Sequence, residues 1–193
     1  MYESLLAENL PRVQEAIHEA ARRGGREGRD VALVAVTKAH PLEALRAALV
    51  AGIRDLGENR LEEMEGKVGE LGRETATWHM VGHIQSRKAK GAVELADLVH
   101  SVDSLKLARR LSRFATEAGR TLSVLVQLNV SGEEAKHGFQ GAEVEEVLFE
   151  LLELPSLRVR GLMTMAPFVE DEKVLRKVFS GLRRLHEDAG RIP

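Results

Sequence analysis

Three features of the sequence predict an α/β protein of the TIM (β/α)8 barrel type. Apolar runs of strand length alternate with amphipathic stretches of helix length, the connections between them are short, and polar residues gather where the apolar runs end. Such alternation argues for a parallel sheet with right-handed crossovers. A dinucleotide-binding open sheet would carry a glycine-rich turn after its first strand, and VAVTKAHP has no glycine there, so the barrel is favoured.

The elements follow in order. Leu5, Leu6, Leu10, Val13 and Ile17 recur at three-to-four spacing and predict a first helix. It stops at Arg22-Arg23-Gly24-Gly25, where glycines end helices and basic side chains suit the carboxyl end of the dipole. The continuous apolar run 31–36 predicts a strand buried on both faces. A helix over 41–51 follows, with Pro41 near its first turn and Gly52 as its stop. The remaining strands are predicted at 53–56, 78–81, 98–102, 122–130 and 157–165. The remaining helices are predicted at 58–71, 86–96, 104–118, 142–154 and 171–189. An eight-stranded barrel takes about 250 residues, so six units in 193 residues lead us to expect a further carboxyl-terminal segment. Ile192-Pro193 reads as the approach to a seventh strand.

Length and composition predict one soluble domain, 1–193, with 44% hydrophobic and 30% charged residues. The 28 basic and 30 acidic residues are interspersed for a net charge of −2, which leaves no electrostatic footprint for nucleic acid and no polybasic membrane anchor. Without cysteine the chain has no disulfide, thiolate metal site or cysteine nucleophile, which fits a cytoplasmic location. No secretory signal or membrane span is expected.

The predicted strand ends carry the polar residues: Thr37-Lys38, Gly57-Glu58-Asn59, Gly82-His83-Ile84-Gln85, Ser101-Val102-Asp103, Asn129-Val130-Ser131 and Met163-Thr164-Met165. In barrels these ends build the active face. Lys38 stands out because it follows six apolar residues. Its amine either points into a barrel mouth or snorkels to solvent, and position alone does not separate the two. At a barrel mouth, partial withdrawal from water favours a neutral amine, the form that attacks a carbonyl.

Six blocks, VAVTKAHP, DLGENRLEEMEGK, WHMVGHIQSRK, HSVDSLKLARRL, VLVQLNVSGEEAKHGF and VRGLMTMAP, span residues 31–167 in order. Together they closely resemble the pyridoxal phosphate homeostasis (proline-synthase co-transcribed) family. The resemblance implies a barrel of the alanine racemase N-terminal kind, with pyridoxal 5′-phosphate held as a Schiff base on Lys38. It implies a pocket lined by Asn59, His83, Met163 and Thr164. It also implies a role in vitamin B6 balance without catalytic turnover, a monomer, and pyridoxal-phosphate-dependent enzymes as recipients of the cofactor. The family pattern continues into a Ser-Met-Gly-Met-Ser-type segment that contacts the phosphate and an Arg-Ile-Gly segment near the pyridine nitrogen. Neither occurs in these 193 residues.

Other residues were weighed for chemistry. His79 and His83, four apart, share a face of an extended segment, but no third metal ligand has clear spacing, so no metal is expected. Glu133, Glu134, Lys136, His137 and Gly138 form either a solvated loop or a lid. Met163 and Met165 read as core packing, and Glu58, Glu62, Glu63 and Glu65 as a helix surface partnered by Lys67. An amino-acid racemase is the rival function. It would need a second base opposite Lys38, and the only tyrosine, Tyr2, lies in the first helix, far from any strand end in the sequence. A Schiff-base aldolase would need an acid/base relay that the sequence does not display.

Overall fold

The computed structural model describes residues 1–130 and 137–190, arranged as two compact units, Met1–His79 and Met80–Pro193. Among the described residues, six strands alternate with helices. Among the described residues, no helix is long and apolar enough to cross a membrane.

In the first unit, α1 (Tyr2–Arg23) carries Pro11 within it and ends at Gly24. Strand β1 is only Ala35–Val36, followed by α2 (Leu42–Val50), β2 (Asp55–Glu58), α3 (Leu61–Leu71) and β3 (Thr77–Met80), whose last residue crosses the unit boundary. Strands β1 and β2 pair in parallel, Ala35 opposite Leu56 and Val36 opposite Gly57. The Thr77 amide donates to the Arg54 carbonyl at 2.9 Å. Leu45, Leu56, Met64 and Trp78 are buried in this unit. The expected strand over 31–36 is therefore corrected to its last two residues. None of these six residues is fully buried, so the expectation of a strand enclosed on both faces fails as well; an apolar run does not by itself supply a neighbour in register. Val36 is itself 44% exposed.

The second unit holds α4 (Ala89–Leu95), β4 (Leu98–Val102), α5 (Leu105–Glu117), β5 (Leu122–Gln127), α6 (Val144–Leu152), β6 (Leu157–Met163) and α7 (Glu172–Ala189). Strand β4 pairs with β5, and β5 with β6, all in parallel. The β5/β6 register shifts between Val124 and Leu125: Val124 opposes Val159 but Leu125 opposes Gly161. Arg160 is thereby the extra residue of a bulge, and Gly161, at φ 151°, supplies a backbone conformation that side chains disfavour. Ser104 and Asp171, the expected helix starts, are the side-chain caps of α5 and α7, accepting from the Leu107 and Lys173 amides. Strands β4 and β5 are lined by buried Val99, Val102, Leu122, Val124 and Val126, whereas no residue of β6 is fully buried.

Candidate functional site

In the first unit, the chain after β1 turns sharply, and the His40 amide donates to the Thr37 carbonyl at 3.0 Å. Lys38 and Ala39 are the two central residues of that turn. Ala39 takes φ 59°, a left-handed conformation that a residue with a Cβ adopts at a cost on the order of 1–3 kcal/mol. The turn is held on both sides. The Ala39 amide donates to Glu63 Oε2 at 2.9 Å, and Lys67 Nζ donates to the Thr37 carbonyl at 2.8 Å. The Thr37 hydroxyl donates to Glu58 Oε1 at 2.5 Å, and the same oxygen takes the Lys67 ammonium at 2.6 Å. Helix α3 thus supplies the groups that fix the peptides flanking Lys38, while the Lys38 side chain is exposed. Of the two placements that position alone left open for this amine, the structure shows the solvent-exposed one. Asn59, directly after β2, is also exposed.

Glu58 corrects the sequence reading. It is the last residue of β2, not part of a helix surface, and it is fully buried, with Oε2 lacking a hydrogen-bond partner. Lys67 is buried with it at 8% exposure. A signal was available: Met64, Lys67 and Val68 fall at helical spacing on one buried face of α3, which places a lysine among apolar residues. Tyr2 is a second correction. Its ring meets that of His40 edge-on at 6.0 Å, two residues beyond Lys38. Sequence distance from the strand ends did not translate into spatial distance, because α1 packs against α2.

In the second unit, His83 follows β3 on a loop pinned by the Ser101 hydroxyl, which donates to the Gly82 carbonyl at 2.6 Å. His83 Nδ1 lies 2.7 Å from Oδ2 of Asp103, the first residue after β4, whose side chain is 7% exposed. His137 Nδ1 approaches the same oxygen at 3.8 Å, and its ring stacks on that of His83 with centroids 4.3 Å apart. Met163 and Thr164 sit where β6 ends. The Thr164 hydroxyl donates to the Leu128 carbonyl at 2.9 Å, and the Leu128 amide to the Met163 carbonyl at 2.8 Å. These bonds tie β6 to the end of β5. Met165 is 58% exposed, so the core-packing expectation fails for it, and Met163 is half-buried. His79, the last residue of the first unit, is held there by Asp55, Nε2 to Oδ1 at 2.9 Å. Of the possible lid, Glu133, Glu134 and Lys136 lie outside the described residues. Sequence reasoning placed Asp103 and His137 at a strand end and in a loop but did not join them to His83, since their proximity depends on strand order.

The exposed primary amine of Lys38, on a turn braced by buried charges, suits an aldehyde-bearing cofactor that must reach it from solvent. The profile of the alanine racemase N-terminal domain family matches residues 9–192. A pyridoxal phosphate homeostasis protein of Pseudomonas aeruginosa is 41% identical over 182 residues, 94% of this chain and 79% of the relative. The Escherichia coli K12 protein of the same name is 38% identical over 92% of this chain and 80% of its own. The structure of PipY from Synechococcus elongatus with pyridoxal phosphate bound superposes with a TM-score of 0.78 at 36% identity, covering 91% of this chain and 82% of that one. An alanine racemase of Clostridium difficile, 20% identical, shares the fold with a TM-score of 0.68 over 83% of this chain and 44% of the racemase. The chain therefore belongs to the alanine racemase N-terminal domain family and, within it, to the pyridoxal phosphate homeostasis proteins.

Proposed function

We propose that this chain binds pyridoxal 5′-phosphate through a Schiff-base link to Lys38 and serves intracellular vitamin B6 balance rather than catalytic turnover. The observation that carries the reading is the exposed Lys38 amine on a turn whose flanking peptides are both anchored, to Lys67 and to Glu63. Pyridoxal phosphate, when bound, supplies an aldehyde for the amine and an electron-withdrawing ring. Within this reading Asn59, His83, Met163 and Thr164 contact the cofactor. His83 does so through Nε2, because Nδ1 is committed to Asp103. Thr164 does so as an acceptor, because its hydroxyl proton is given to Leu128. The protein works as a cytoplasmic monomer that exchanges the cofactor with pyridoxal-phosphate-dependent enzymes.

Incubation with pyridoxal phosphate is expected to give a visible absorbance band that borohydride bleaches, with the reduced cofactor recovered on the peptide containing Lys38. Lys38→Ala is expected to stay colourless. A chain that remains colourless, or a band of equal strength in Lys38→Ala, overturns the reading. The contact of Tyr2 with His40 favours one second reading, an amino-acid racemase with Tyr2 as the opposing base. Alanine racemisation by the loaded protein, abolished in Tyr2→Phe, would establish that activity in place of simple binding.

A further inference from the structure

The geometry points to a divalent transition-metal site formed by His83, Asp103 and His137, with Zn²⁺ as its natural occupant. The three ligand atoms, two imidazole nitrogens and one carboxylate oxygen, all lie within 4.8 Å of one another. Two histidines and a carboxylate are a donor set that Zn²⁺ takes in sites with an open fourth position, whereas Mg²⁺ and Ca²⁺ require oxygen ligands. The carboxylate forms the floor, its side chain 7% exposed, and the imidazoles stand above it at 43% and 63%, so an ion reaches the cluster from water.

The backbone around each histidine is fixed independently of any ligand. Ser101 holds the Gly82 carbonyl beside His83. The Gln127 side-chain amide donates to the His137 carbonyl at 3.0 Å, the Phe139 amide donates to the Gln127 carbonyl, and the Asn129 amide donates to the Phe139 carbonyl. Gly138, at φ 127°, seats itself where a Cβ would come within 2.9 Å of the Asn129 amide nitrogen and the Gln127 carbonyl oxygen.

Without an ion the cluster is a hydrogen-bonded stack, with ring planes 16° apart. Two parallel rings cannot both aim a lone pair at one point. Coordination therefore turns His137 about its Cβ–Cγ bond and closes the 3.8 Å edge, a torsion with broad, shallow preferences. The ion replaces the proton on His83 Nδ1, which moves to Nε2, the other tautomer of a neutral imidazole. Three protein ligands leave one position for water.

The site shares His83 with the cofactor reading but does not rest on it. The test titrates chelator-treated protein, free of cofactor absorbance, with ZnCl₂ by calorimetry and with Co²⁺ by visible spectroscopy. One equivalent of each is expected, with ligand-field bands for Co²⁺. Outer-shell partners of metal sites alone are worth about 10–100-fold in affinity, so His137→Ala and Asp103→Asn are each expected to weaken binding at least about tenfold. His79→Ala, its imidazole tied to Asp55, is expected to change nothing. Lys38→Ala is expected to keep its Zn²⁺ equivalent even though it no longer takes up pyridoxal phosphate. Absence of binding by the wild-type chain, or full-strength binding in His137→Ala, overturns the site. Should Asp103→Asn lose its fold by circular dichroism, His137→Ala, altering an exposed side chain, decides the matter alone.

Discussion

Glu58 and Lys67 are charges withdrawn from water beneath an exposed lysine, and their pairing sets what each can tolerate. The Lys67 ammonium donates to Glu58 Oε1 and the Thr37 carbonyl at once, so removing it leaves a buried carboxylate without its counter-charge and takes one of two donors from that carbonyl. Lys67→Met is expected to destabilise the chain by about 3–5 kcal/mol, measured by urea denaturation. The double variant Glu58→Gln/Lys67→Met is expected to recover much of that loss, since it removes both charges and keeps an acceptor for Thr37. Equal destabilisation of single and double variants would contradict the role given to this pair. Little of the arrangement was legible in the sequence, because a Glu followed by Glu, Glu and Lys at helical spacing reads as a solvated helix face. Only the placement of Lys67 beside Met64 and Val68 argued otherwise.

At the scale of elements, the loop after β5 rejoins that strand through the Leu128–Phe139 bridge, and Gly138 is the residue that allows the backbones to meet. A Cβ there strikes backbone atoms that cannot swing aside, in a conformation that side chains rarely adopt. Gly138→Ala is expected to lower stability by roughly 1–3 kcal/mol. It should also disturb the His83–His137 ring stack, visible as changed imidazole resonances in NMR spectra. Unchanged stability and unchanged resonances would show that the bridge does not position His137. Order, type and approximate positions of the strands and helices were readable from apolar periodicity. Strand lengths were not, as β1 shows: the apolar run begins at Val31 but pairing begins at Ala35. Periodicity reports which side chains avoid water, whereas strand limits report where two backbones lie in register.

At the scale of the whole molecule, a ligand that binds only the folded chain stabilises it by mass action. Pyridoxal phosphate at about one hundred times its dissociation constant is expected to add about 2.7 kcal/mol, seen as a rise in the thermal midpoint. Lys38→Ala is expected to lose that rise. A midpoint insensitive to the cofactor in the wild-type chain would mean that binding is not linked to folding.

The sequence alone determined the alternating α/β plan and the family, and it singled out Lys38 as the lysine that follows the first apolar run. Each is written locally, in apolar spacing or in short ordered blocks. Tertiary structure alone decided that Lys67 and Glu63 brace the turn carrying Lys38, that Tyr2 meets His40, and that Asp103 gathers His83 and His137. The physical reason is common to all three. Hydrogen bonds and stacking act over a few ångströms, and residues as far apart in the chain as Asp103 and His137 come within that range only after strands have paired and helices have packed.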